Sequence, residues 1–444
     1  MSRWYEGGVF YQIYPLGLVG APKENREGSV TDHFGELEQW IPHIRSLGCN
    51  AIYIGPLFES STHGYDTRDY RMVDRRLGSP ESFQTFTDLC HKAGIKVVVD
   101  GVFNHTGRDF FAFQDIVKNR EQSPYRDWYK GVNFGGSSPL GDSFGYEAWQ
   151  GHSELPCLNL SLTTVKQYLF DTIQFWIQNF DIDGIRLDCA NVLDFGFMKE
   201  LREKTDRMKE DFWLMGEVIH GDYARWINDS TLHSVTNYEL HKSNYSGHND
   251  HNYFEIAHNV KRLDPLGLQL YTFVDNHDED RIASKLKNPE HLYPVYTLLF
   301  TLPGIPSVYY GSEFAIEGKR TNWDDSALRP AISISDREVK ANSLSSFIGR
   351  LGQIHKENPH FHRGRYQELL LTNRQYAFAR FYKEQALVTA VNNDDKEAFV
   401  QIACPSQGDI AIDLLSGEQH PVRDQKIQLT IPANRGVILK IMEE

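Results

Sequence analysis

An arginine and an aspartate, Arg186 and Asp188, stand two residues apart inside the otherwise apolar run 184–192. In a strand, positions two apart face the same side, so these side chains share a face. An ion pair that ties two elements together is one reading. The other is a carboxylate kept ionised by a guanidinium and ready to act as a nucleophile. Elsewhere Asp100 is followed by Asn104 and His105, Glu217 precedes His220, and Asn276, His277 and Asp278 are consecutive. One acid at a strand end is commonplace as a structural cap. Several such acids, each beside His, Arg or Asn, are hard to explain that way. Cleavage of a glycosidic bond uses this equipment, since it needs one ionised carboxylate and one carboxylic acid on opposite sides of the scissile bond. A metal centre is the rival use. Arg186 beside the central acid would repel a cation, so no metal ligands are assigned.

The elements that must position these residues alternate. Apolar runs at 9–15, 51–55, 95–100, 184–192, 211–216, 233–238, 269–275 and 307–311 read as strands, and helical spacing marks 32–47, 80–93, 165–179 and 194–209. Eight strands with helices between most of them predict an α/β fold, a (β/α)8 TIM barrel, whose site lies at the C-terminal strand ends. A doubly wound open sheet is the alternative, but no Gly-x-Gly-x-x-Gly follows the first strand. The stretch 106–160 is rich in Gly, Ser, Pro, Tyr and Trp and weak in periodicity. It reads as a loop-rich subdomain inserted after strand 3 on the catalytic rim. Past Pro359 short alternating runs (376–382, 386–391, 399–403, 436–441) predict a C-terminal antiparallel β-sandwich. The expected division is a barrel over 1–105 and 161–358, an inserted subdomain over 106–160, and a β domain over 359–444.

Composition narrows the partners. A net charge of −14 argues against nucleic acid or an anionic membrane surface. Twenty-two Tyr and eight Trp suit a cleft that stacks on flat, hydroxylated ligands, and large cores would use them equally well. No run has the length of a signal peptide or a membrane span, and the five cysteines are odd in number and scattered. These features predict a cytoplasmic protein. They leave a monomer or a homodimer open.

At this level of detail the chain resembles a known family. The stretches from Asp100 to His105, Gly184 to Asp188, Gly216 to Val218 and Val274 to Asp278 are similar to the four signature regions of the α-amylase family, family 13 of the glycoside hydrolases. Gly304 to Gly311 is similar to its eighth-strand motif, and the likeness runs from Val9 to the C-terminal domain. The resemblance implies a retaining α-glucan hydrolase acting on α-1,4 bonds of linear or cyclic malto-oligosaccharides. In it Asp188 is the nucleophile with Arg186 as its partner, Glu217 the general acid and base, and Asp278 the grip on sugar hydroxyls. His105 and His277 would bond the same ring, Tyr65 would stack beneath it, and Arg281 would steady the pocket. Asn191 and His220 match the Asp-x-Ala-Asn and Glu-x-x-His of neopullulanases, cyclomaltodextrinases and maltogenic amylases, and would bind substrate. That group has Glu where this chain has Val192, and it carries an N-terminal β domain ahead of the barrel. Thr62 stands where exo-acting members have a blocking Asp, which implies an open cleft. No cofactor is required. A structural calcium near Asn104 and the inserted subdomain is left open, with no Asp-x-Asn-x-Asp run to support it. A glucanotransferase of the same family is the alternative activity. A non-catalytic barrel relative is a more distant one, since it would lack the three carboxylates.

Overall fold

Strands made of apolar and aromatic residues on both faces are stable only where both faces are covered, as in a parallel sheet wrapped by helices. In the computed structural model of the chain, which describes residues 3–26, 28–322, 324–333 and 343–443, eight such strands meet that condition. They are β1 (Phe10–Ile13), β2 (Ala51–Ile54), β3 (Lys96–Gly101), β4 (Gly184–Leu187), β5 (Trp213–Gly216), β6 (Ser234–Thr236), β7 (Leu270–Phe273) and β8 (Ile305–Tyr309). Each pairs in parallel with its neighbours in chain order, and β8 closes on β1. The expected TIM barrel is the observed fold. Its interior is filled by large side chains, among them Phe10, Tyr53, Trp213, Tyr271 and Phe273. Below them the turn Trp4–Gly7 closes the N-terminal end, where the Trp4 indole donates to the Asp211 carbonyl at 2.9 Å.

The helices begin and end where local chemistry dictates. Helix α1 (Phe34–Glu38) and α2 (Ile41–Ser46) occupy the stretch expected as one helix over 32–47. Pro42 is the reason for the break: it has no N–H to donate to the Glu38 carbonyl, and its ring crowds the preceding turn. Helix α3 (Pro80–Lys92) opens on a capping box in which Ser79 and Ser82 each accept the other's backbone N–H, at 3.2 and 2.9 Å, with Pro80 in the first turn. Between β3 and β4 lies helix α4 (Phe111–Asn119), a regular element inside the stretch read as loop. The loops around it pair only through isolated bridges such as His105 with Cys157 and Tyr129 with Leu158. Phe113, Tyr129 and Phe144 of this segment are buried, which is where its aromatic content goes. Helices α5 (Thr163–Phe180) and α6 (Phe195–Met208) flank β4. Among the described residues no helix is long and apolar enough to cross a membrane.

The C-terminal sheet has eight antiparallel strands, twice the number of runs predicted. They are β9 (Arg365–Leu371), β10 (Gln375–Tyr382), β11 (Gln385–Asn392), β12 (Ala398–Ala403), β13 (Ile410–Asp413), β14 (Gln419–Arg423), β15 (Lys426–Ile431) and β16 (Arg435–Met442), in the order β9-β10-β11-β16-β13-β14-β15-β12. Of the four additional strands, β14 and β15 are polar on one side; β15 buries only Ile427, Leu429 and Ile431. The sheet shares a core with the barrel helices, in which Tyr376, Phe378 and Val391 meet Leu240, Tyr253 and Leu298. Arg380 joins the two parts. It is wholly buried, and its guanidinium donates to the carbonyls of Thr301, Phe361 and Gly364 at 2.8, 2.7 and 3.0 Å. Burial lowers its pKa to about 9, yet it is still a cation at neutral pH. Replacement by Met strands three buried carbonyls while removing a buried charge, so Arg380→Met is expected to destabilise the fold by about 2–3 kcal/mol, read as a lower urea midpoint.

Candidate active site

The site is assembled from the C-terminal ends of the barrel strands. Asp100 on β3 and Arg186 on β4 are register partners, and the guanidinium of Arg186 reaches across to Asp100 Oδ1 at 2.9 Å. The strand ends at Leu187, earlier than the run 184–192 suggested, so Asp188 sits just past it. There the chain turns sharply: Cys189 takes a left-handed conformation with φ 50° and ψ 37°, and Ala190–Val192 form a single 3-10 turn. The Asp188 N–H still donates to the Gly101 carbonyl at 3.1 Å, which holds its side chain over the barrel mouth. Arg186 then bonds Asp188 Oδ1 at 2.7 Å and Glu217 Oε2 at 2.9 Å. One guanidinium thus links three carboxylates.

Glu217 follows β5 directly after Gly216. A side chain at Gly216 would come within 2.7 Å of the Ala190 Cβ and 2.5 Å of Leu232 Cδ1, so only glycine lets the two turns approach this closely. Behind it Thr236 accepts the Val218 N–H at 2.9 Å and fixes the backbone. Burial raises the pKa of Glu217 to about 7; the nearby charges of Asp188 and Asp278 add to this, and Arg186 opposes it. Asp278 goes the other way. Although burial favours its neutral form, His277 and Arg329 hold it well below the usual carboxylate range. Burial also raises Asp100, with Arg186 opposing. Two carboxyl groups of one site are therefore driven apart in acidity, which is the electrostatic signature of an acid and a base sharing a site. One oxygen of Asp188, one oxygen of Glu217 and the Cys189 sulfur lie within 4.8 Å of one another. That trio is a poor cation site, since Arg186 occupies one oxygen of each acid and burial keeps the thiol protonated by raising its pKa.

On the far side Tyr65 and His277 are stacked, with centroids 5.7 Å apart, and are hydrogen-bonded to each other; Tyr65 also donates to Asp100 Oδ2 at 3.1 Å. Gln12 on β1 bonds the other ring nitrogen of His277 at 3.0 Å. His105 is buried beside Trp149, and its Nε2 has no protein partner among the described residues. Burial lowers its pKa, which favours a neutral ring. Asn191 and His220 are exposed on the rim next to Val192 and Ile219, which are 50% and 40% exposed. Thr62 is exposed as well, and its hydroxyl is bonded to Asp66 at 2.7 Å. Asn104 spends its amide on His105 Nδ1 at 3.2 Å and Cys157 Sγ at 4.0 Å.

The structure brings together Asp188, Glu217, Asp278, Arg186, Tyr65, His105 and His277. It does not bring Arg281 among them. That residue is fully buried behind the pocket, where its guanidinium donates to the carbonyls of Tyr310 and Leu328 and packs over Tyr309. The carbonyl oxygens of the loop after β8 draw it inward. The residue that steadies the pocket is Arg329, which bonds Asp278 Oδ1 at 2.9 Å and the His277 carbonyl at 3.0 Å while lying over Tyr14. It comes from a loop without periodicity, so no local pattern marks it. Gln12 is different: a lone amide in an apolar strand was a visible signal.

Comparisons with known proteins place this arrangement. The family model described as the catalytic domain of α-amylase matches residues 25–350. A cyclomaltodextrinase from Thermoanaerobacter pseudethanolicus is 31% identical over 426 residues, which span 90% of this chain and 72% of that protein. An intracellular maltogenic amylase from Bacillus subtilis is 30% identical over 416 residues, 88% of this chain and 69% of the relative. Among solved structures, a debranching enzyme from Nostoc punctiforme superposes with a TM-score of 0.81 at 26% identity, covering 98% of each chain. A (β/α)8 barrel with this carboxylate cluster at its mouth is a glycoside hydrolase, and the chain belongs to the α-amylase family.

Proposed function

We propose that this protein is a retaining hydrolase of α-1,4-glucosidic bonds in linear or cyclic malto-oligosaccharides. The observation that carries the reading is that Arg186 holds both Asp188 and Glu217, with an oxygen of one within 4.8 Å of an oxygen of the other. Retaining enzymes hold their two carboxyl groups about 5–5.5 Å apart, whereas inverting enzymes leave room for a water at about 6.5–9.5 Å. Asp188, paired with Arg186, attacks the anomeric carbon as the bond to the leaving sugar breaks. Glu217, raised toward neutral pH, gives that sugar its proton, and then takes one from the water that releases the glycosyl group. Asp278, kept ionised by His277 and Arg329, bonds hydroxyls of the distorted ring, and Tyr65 stacks beneath it. His105 Nε2 is the unpaired donor left for the same sugar. Neither step draws on a metal or organic cofactor.

Substrate class rests on the relatives, which are named for cyclomaltodextrins and maltose release. The exposed Asn191 and His220 and the open position at Thr62 support a cleft that takes several sugars. A cytoplasmic location is supported by five cysteines without a disulfide and by the relative named as intracellular. The test is a proton NMR time-course on maltotetraose, with γ-cyclodextrin, panose and starch in parallel. The α-anomer is expected as the first product, with maltose and other small sugars following. A β-anomer at early times would overturn retention. Products longer than the substrate dominating at high maltotriose would replace hydrolysis with glucanotransfer.

A further inference from the structure

Cys189 touches both of the carboxylates to which the proposed reaction assigns chemistry. Its thiol donates to Asp188 Oδ2 at 3.1 Å, the oxygen that Arg186 leaves free, and its backbone N–H donates to Glu217 Oε2 at 3.0 Å. The residue is 7% exposed and holds a left-handed backbone, which is uncommon outside Gly, Asn and Asp. Strain of this kind persists only where the surroundings demand it. Here the turn swings the Cys189 N–H toward Glu217 while leaving its side chain beside Asp188. We infer that Cys189 is a positioning residue for the reaction, one that locks the nucleophile and the acid in a fixed mutual geometry.

The chemistry of each bond fits that role. Oε2 of Glu217 is paired with Arg186 and accepts the Cys189 N–H, while Oε1 takes only a longer bond from the Tyr238 hydroxyl at 3.4 Å, so the proton that Glu217 delivers sits on Oε1. Oδ1 of Asp188 is fixed by Arg186, which leaves the thiol to set the orientation of Oδ2. A thiol is a weak donor, so it orients this oxygen without the hold that a charged donor would exert on a nucleophile. Burial and the Asp188 charge together raise the thiol's pKa, so the sulfur keeps the hydrogen it donates.

The inference rests on the assignment of Asp188 as nucleophile, and the experiment separates the two. Asp188→Asn, Cys189→Ala and Cys189→Ser are compared with the parent on maltotetraose, with kcat/KM measured from pH 4 to 9 and the folded state checked by near-UV circular dichroism. Removing the donor leaves Asp188 Oδ2 free to turn away from the line of attack, so Cys189→Ala should lose rate and keep binding. Its kcat/KM at the optimum should fall about 5- to 20-fold, chiefly in kcat. Cys189→Ser, which supplies a hydroxyl donor, should recover most of the parent kcat. A Cys189→Ala protein with the parent kcat, or one whose loss lies in KM, or a Cys189→Ser protein no faster than Cys189→Ala, would overturn the positioning role. Full activity in Asp188→Asn would instead remove the assignment on which it stands.

Discussion

Asp188→Asn is expected to lower kcat/KM on maltotetraose by at least about 10⁴-fold, the scale on which removal of a covalent nucleophile acts. That corresponds to about 5.5 kcal/mol of transition-state stabilisation. The amide keeps the shape of the side chain and still accepts from Arg186 through its oxygen, but it has no anion to form a glycosyl ester. The fold should survive the change. Arg186 retains its contacts with Asp100 and Glu217, both at 2.9 Å, so the buried guanidinium still has two polar partners. Stability should therefore change by less than about 2 kcal/mol, which thermal melting would show. An Asp188→Asn protein keeping a tenth of the parent activity would mean that another group attacks the sugar.

The second large effect concerns acid. Burial drives His233, His248 and His355 down to about 3 from an ordinary value of 6.5, and they stay neutral in the folded chain where unfolded histidines charge. In the middle of the window from about pH 6.5 to 4.5 the unfolded chain thus binds about three protons at these positions that the folded chain does not. Glu217 works against them. Raised to about 7 from 4.5, it is protonated in the folded chain across this window and ionised in the unfolded one. Among these four groups the balance near pH 5.5 is three minus one, or two protons taken up on unfolding, so they lower stability by about 3 kcal/mol for each pH unit of acidification there and by less near pH 6.5. His105, His291, His360 and His362, the last to about 4, are also lowered by burial and push the same way, as does Glu279, lowered to about 2 by His241 and Lys285 against its burial; Asp100 and Asp275 are raised by burial and push back. Urea midpoints at pH 6.5, 5.5 and 4.5 measure the slope. Glu217→Gln removes the opposing proton and should steepen it by about half. A flat profile, or a shallower one in Glu217→Gln, would contradict this balance.

The legible part of the protein was the part where one side chain does one job locally. The eight barrel strands are apolar on both faces and stand out as runs, and the acids that follow them are adjacent in the chain to the residues that tune them: Arg186 to Asp188, His277 to Asp278. Polar strands of the C-terminal sheet were harder to see. In β14 and β15 only alternate positions are buried, and Gln, Lys and Arg on the open face mask the period. Pro42 was visible, and its lack of an N–H was sufficient reason to divide the helix expected over 32–47.

Residue identity and order by themselves determined the barrel, the three carboxylates and their assignment to strand ends, because hydrophobic period and neighbouring residue types are properties of the chain alone. What only the tertiary structure decided is which arginine serves which acid. Arg281 lies three residues from Asp278 yet turns into the core to meet carbonyls, and Arg329, 51 positions away, closes on Asp278 instead. The same holds for the link through Cys189, since the backbone turn that joins two carboxylates depends on β4 and β5 lying side by side. Electrostatic partnership falls off with distance in space, and folding sets that distance with little regard to separation along the chain.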